Sequence, residues 1–108
     1  MSEAFEALVS LDKVIHEPAR LALLTALSAC SSADFVFLQR LTGLTQGNLS
    51  THLTRLEEAG LVEIEKQFVG KRPNTMVQLT EAGHLAIKQH WQQLEHLHEV
   101  AQQWRPEQ

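Results

Sequence analysis

A chain of 108 residues with a net charge of −4 has the size of one modest core, and its acidic balance speaks against indiscriminate nucleic-acid binding. No apolar run approaches the roughly 18 residues of a membrane span, and Glu3 and Glu6 stand where a secretory signal would be basic, so a cytoplasmic protein without membrane contact is expected. Cys30 is the sole cysteine, which excludes an internal disulfide; beside Leu24, Leu27 and Ala29 it reads as a small core residue. Charge is unevenly spread along the chain. Residues 35–80 hold five cations against four carboxylates, whereas residues 1–34 hold two against five and residues 81–108 two against four. A middle segment relieved of acid between acidic ends points weakly toward a polyanion.

Phe5, Leu8, Val9, Leu11, Val14 and Ile15 form a first helical pattern, interrupted at His16-Glu17-Pro18. Pro18 suits the first turn of the next helix, where its missing N–H is harmless, and Leu21, Leu24 and Leu27 with Ala22 and Ala26 carry that helix to about Cys30. Ser31 or Ser32 is placed to cap a third helix through Phe35, Leu38 and Leu41, which stops at Gly43. Thr45 caps a fourth, closed by Gly60. The third and fourth are joined by Gly43-Leu44-Thr45 alone, a three-residue turn containing glycine that fits a helix-turn-helix or a plain pair of antiparallel helices. Beyond it, Val62 and Ile64 alternate with Glu63 and Glu65, and Met76-Val77-Gln78-Leu79 can pair with that run across a basic tip, Gly70-Lys71-Arg72-Pro73-Asn74. Thr80 caps a last helix in which Ile87, Trp91, Leu94, Leu97, Ala101 and Trp104 keep helical spacing.

The fourth helix has an unusual outer face. Leu49, Leu53 and Leu56 make its apolar stripe at i, i+4 and i+7, yet the opposite side shows Gln46, Gly47, Asn48, Ser50, Thr51 and Thr54 rather than Lys and Glu. Short polar side chains are middling helix formers, and Gly47 costs about 1 kcal/mol relative to Ala in a helix interior. The carboxylates Glu57 and Glu58 are confined to the last turn. Such a face is either a solvated surface or one shaped to meet a partner that long acidic side chains would be repelled by.

The residues His16 to Leu27, Leu41 to Lys66, Gly70 to Thr75 and Leu79 to Gly83 together resemble the small winged helix-turn-helix regulators of the prokaryotic MarR and ArsR type over roughly Leu11 to His90. The resemblance implies a mainly α fold with a small β-hairpin: one winged helix domain over 1–108, its core at about 11–80, with dimerisation helices at 1–15 and 80–104. It also implies a sequence-specific regulator of transcription that binds double-stranded DNA as a homodimer. The recognition helix would be 45–60 in the major groove, and the wing 68–75 would lie on the backbone or minor groove. On that reading Thr45, Gln46, Gly47, Asn48, Ser50, Thr51 and Arg55 face the DNA from the helix, while Lys71 and Arg72 face it from the wing. His52, at the edge of the leucine stripe, is mainly structural.

A homodimer is also expected on physical grounds. The last helix has 25 residues from Thr80 to Trp104, roughly 37 Å, longer than a small core covers. Trp91, Leu94, Leu97 and Trp104 would leave a large exposed patch, so they are expected to pack with Phe5 and Leu8 of the first helix and with a symmetry mate. The competing arrangement is an intrachain pair of helices using Phe5, Leu8 and Val9. A metal-sensing regulator is an alternative, because four of six histidines lie in the last helix, with His96 and Glu99 at i, i+3 and His84 or His90 nearby. Ala82 stands where such a sensor would carry Asp, however, so no metal and no cofactor are expected, while a small-molecule effector stays open. A winged helix can also be a protein-interaction module, which a charged or apolar fourth-helix face would have favoured. No nucleophile elbow, phosphate loop or carboxylate pair suggests an enzyme.

Overall fold

The computed structural model describes residues 3–106, so residues 1, 2, 107 and 108, at the ends of the expected 1–15 segment and 1–108 unit, lie outside the described residues. The order is α1 (Glu3–Val9), α2 (Pro18–Ser28), β1 (Ala33–Asp34), α3 (Phe35–Thr42), α4 (Gln46–Glu58), β2 (Val62–Val69), β3 (Arg72–Leu79) and α5 (Glu81–Gln103). The strands form one antiparallel sheet ordered β1-β3-β2.

The first helical pattern ends sooner than its apolar spacing predicts. α1 stops at Val9, and residues 10–17 form turns instead of continuing to Ile15. The reason is local competition: the Asp12 carboxylate accepts the Val14 N–H at 2.9 Å, and Arg20 donates to the carbonyls of Val14 and Lys13. These backbone groups thus find partners outside a helix, while Leu11 and Ile15 are still buried. α2 begins as expected with Pro18 in its first turn, and the Glu17 carboxylate accepts the N–H groups of Ala19 and Arg20. Its fully buried residues are Leu23, Leu24 and Leu27, so Leu23 joins the stripe and Leu21 is only half-buried.

The expected serine cap of the third helix is corrected by the structure. Asp34 caps α3, accepting the Phe37 N–H at 2.7 Å, because Ala33 and Asp34 are first held as β1 against Val77 and Met76. Ser31 and Ser32 precede that strand. Leu38 is fully buried, but Leu41 is 55% exposed rather than part of the core. Gly43 then takes the left-handed conformation at φ 71°, and Thr45 caps α4 by accepting the Asn48 N–H at 3.1 Å. The end of α4 is equally well closed: Gly60 (φ 76°) donates to the Glu57 carbonyl at 2.9 Å and Leu61 to the Leu56 carbonyl at 3.0 Å, the paired bonds of a Schellman ending.

The hairpin is longer and tighter at its tip than the sequence pattern predicts. Val69 pairs with Arg72, so the loop is only Gly70-Lys71, with Gly70 at φ 66° and Lys71 at negative φ, as a Gly-X two-residue turn requires. Val62, Val77 and Leu79 anchor its base in the core, whereas Glu65 to Pro73 are exposed. α5 starts at the Thr80 cap, whose hydroxyl accepts the Gly83 N–H at 2.9 Å. Gly83 is buried there against Leu61, whose carbonyl oxygen would lie only 2.0 Å from an added Cβ. At its far end α5 packs on α1, the Phe5 and Trp104 rings meeting edge-to-face at 5.3 Å.

Candidate nucleic-acid interface

α4 separates two chemistries cleanly. Leu49, Leu53 and Leu56 are buried, and every residue of the expected reading face, from Thr45, Gln46, Gly47 and Asn48 to Ser50, Thr51, Thr54 and Arg55, is exposed. The first turn holds no carboxylate, and its outermost N–H groups point along the axis with the positive end of the helix dipole. Two hydroxyls are partly committed: Thr45 accepts the capping bond, and Thr51 donates to the Gly47 carbonyl at 3.0 Å. Gln46, Asn48 and Ser50 are thus the side chains on this turn that make no hydrogen bond to the rest of the described chain through their polar tips.

His52 is held on the inner side by α2. Its Nδ1 lies 3.1 Å from Arg20 Nη1 and 3.4 Å from a Glu17 carboxylate oxygen. Arg20 also bonds the Val14 and Lys13 carbonyls, so one guanidinium ties the turn after α1, the start of α2 and the middle of α4 together. Burial alone would raise the Glu17 pKa, but its two capping N–H bonds, with His52 and Arg20 nearby, turn the balance and lower it. The structural role expected for His52 agrees with this geometry.

At the wing, Lys71 occupies the turn and Arg72 the first position of β3, both exposed. The fold adds residues that the linear pattern did not single out. Lys66 and Thr75 are cross-strand partners, and with Ser50, Thr54 and Glu57 of α4 they line one cleft between reading helix and hairpin. Lys66 could have been found from strand alternation, since it continues the Val62, Ile64 face; its approach to α4 is set by tertiary packing.

The residues expected at a dimer surface divide. Leu97 is buried within the chain and Leu94 half-buried, while Phe5, Leu8, Trp91 and Trp104 are each 38–45% exposed. Trp91 donates its indole N–H to Thr25 Oγ1 at 2.9 Å, which orients the ring without covering it. The histidines of α5 also divide: His84, His96 and His98 are exposed, but His90 is buried, its Nε2 3.1 Å from His16 Nδ1. Burial, then the neighbouring His16, lowers the His90 pKa, against a smaller opposing pull from Asp12. Among the described residues no three His, Cys, Asp or Glu groups converge on a possible metal position, and no helix is long and apolar enough to cross a membrane.

Comparison with known proteins places this architecture. Residues 19–98 match the family described as winged helix DNA-binding domain. An uncharacterized protein of Methanocaldococcus jannaschii is 34% identical over 76 residues, covering 70% of this chain and 83% of that one. A transcriptional regulator homologue from Pyrococcus horikoshii superimposes with a TM-score of 0.83 at 28% identity, covering 93% of this chain and 98% of that chain. A mutant MarR from E. coli, solved in complex with operator DNA, matches with a TM-score of 0.65 at 26% identity over 76% of this chain and 59% of its own. The chain belongs to the winged helix DNA-binding domain family, and its fold is that of the MarR-type regulators.

Proposed function

We propose that this DNA-binding transcriptional regulator is cytoplasmic and reads a two-fold symmetric operator as a homodimer, with residues 1–108 acting as one unit. α4 enters the major groove by its N-terminal half, where Gln46, Asn48, Ser50 and Thr51 address base edges, Gly47 permits close approach, and Thr45 holds the first turn. Arg55 serves phosphate or guanine as the helix leaves the groove. Lys71 and Arg72 hold the backbone and minor groove from the wing. The observation that carries this reading is the exposed, uncharged polar face of α4, backed by a fully buried leucine stripe and free of carboxylate in its first turn.

The dimer surface combines Phe5, Leu8, Trp91 and Trp104, large side chains left partly exposed along α1 and α5, with Leu94 and Leu97 beneath them. A monomer carrying that patch in water loses the burial that a second copy would supply. Selection of bound sites from a random duplex pool tests the whole reading. Enrichment of two matching half-sites about one helical turn apart is expected; an unenriched pool, or a single half-site bound by a 12 kDa species in sedimentation, would refute it.

A further inference from the structure

The tip of the β2–β3 hairpin is apolar as well as basic, and the electrostatic account of the wing leaves the apolar part unused. Phe68 is 74% exposed and lies opposite Pro73 in the register. Because Val69 and Arg72 close the two-residue turn as a hydrogen-bonded pair, Phe68 and Pro73 form the next, non-hydrogen-bonded pair, in which side chains lie closest. Proline suits that position, since its nitrogen has no proton to donate to the ladder.

Period two puts Phe68 on the strand face that carries Ile64 and Lys66, and puts Pro73 with Thr75 and Val77. At its base this face opens on α4 through the cleft lined by Ser50, Thr54, Lys66 and Thr75. The ring and the pyrrolidine therefore extend, toward the tip, the same side of the hairpin that meets the reading helix. Lys66 shares their face and Lys71 stands in the turn beyond them, while Arg72 projects from the opposite face; Glu65 is the only carboxylate from 65 to 75, on a chain whose net charge is −4. A phenyl ring left in water forgoes about 1.5–3 kcal/mol of burial. The surface complementary to an apolar wedge rimmed by cations is the DNA minor groove, whose deoxyribose walls are apolar and whose rims are phosphate.

We infer that Phe68 and Pro73 form an apolar wedge that seats in the minor groove beside each half-site, making the wing a reader of groove width and deformability as well as a phosphate clamp. The inference rests on the wing assignment proposed above. The wedge packs against the sugars while Lys71 and Arg72 reach the phosphates at the rims. A guanine 2-amino group on the groove floor obstructs that seat, so A·T steps are favoured where the wing lands.

The test uses the selected operator with its wing-facing steps as A·T, G·C or inosine·C, the last lacking the 2-amino group. Wild-type protein is expected to bind the A·T and inosine·C duplexes about tenfold more tightly than the G·C duplex. Phe68→Thr keeps a good strand former but removes the ring; it should bind all three alike, near the G·C level, with an unchanged salt slope, and Phe68→Leu should restore part of the preference. The inference is overturned if Phe68→Thr discriminates as wild type does, or if wild type treats A·T and G·C alike. Wild-type binding to the selected operator over a scrambled duplex reports separately on the DNA-reading function, so either proposal can fail alone.

Discussion

If α4 reads DNA as proposed, Gly47 is where stability and recognition pull in opposite directions. It lies at the second position of α4 with helical backbone, since only Gly43, Gly60 and Gly70 have positive φ, and an added Cβ would meet no heavy atom within 4 Å. Nothing in the fold needs glycine there. Gly47→Ala should therefore stabilise the protein by about 0.5–1 kcal/mol, through better helix propensity and a less disordered unfolded chain. For a domain of this size that raises the melting temperature by about 2–8 °C. If the groove lies against this backbone, the same methyl group must be accommodated in a packed contact, at a cost of about 1–3 kcal/mol in operator binding. Urea denaturation of the free protein and fluorescence anisotropy with the selected operator measure the two effects separately. A variant that is more stable and binds the operator undiminished would refute close approach at Gly47; one that is less stable would refute the reading of the free helix.

Gly83→Ala is the contrasting case: its methyl group would collide with the Leu61 carbonyl, so a loss of about 1–3 kcal/mol is expected despite the helical site, read by the same urea melts. Replacing Gln46, Asn48 or Thr51 by Ala should cost about 1–3 kcal/mol on the operator and relax one position of each half-site. Lys71→Ala or Arg72→Ala should instead weaken all sequences and lower the salt slope by about one per lost contact, two per dimer, because each neutralised phosphate releases counterions. Identical uniform losses for Asn48→Ala and Lys71→Ala would end that division of labour. Because burial lowers the His90 pKa in the folded state, the unfolded chain binds the extra proton first as pH falls. The stability that neutral His90 contributes is full above the ordinary value of 6.5 and is lost as pH drops from there toward the folded value. Melts from pH 8 to 5 should show a decline that His90→Leu flattens; parallel curves would contradict it. Chelator-treated protein should keep its operator affinity, and recovery that depends on added zinc would favour a metal sensor.

The elements legible in the amino-acid order are those whose cause is local. Leu49, Leu53 and Leu56 mark α4 by spacing, Thr45 and Gly60 mark its limits through side-chain oxygen and left-handed backbone, Gly43 ends α3 in the same left-handed way, and Thr80 announces α5; each acts within one or two turns of chain. The polar outer face of α4 was equally plain, because it is a departure from what helix propensity alone favours. What the order of residues left open depended on partners distant in sequence. Asp34 rather than Ser31 or Ser32 caps α3 because Ala33 pairs with Val77, more than forty positions away. α1 stops at Val9 because the turn after it is held from elsewhere: the Asp12 carboxylate takes the Val14 N–H, and Arg20 of α2 takes the carbonyls of Val14 and Lys13. Leu41 has the spacing of a core residue but is left exposed, at an open cleft that it lines with Pro18, Ala19 and Ala22 of α2 and His52 of α4. The His16–His90 pair, the Arg20 link to His52 and the cleft that brings Lys66 to Ser50 and Thr54 likewise join segments whose sequence carries no mark of one another. Periodicity says which face of an element is buried, but only the packed chain decides which distant group meets it.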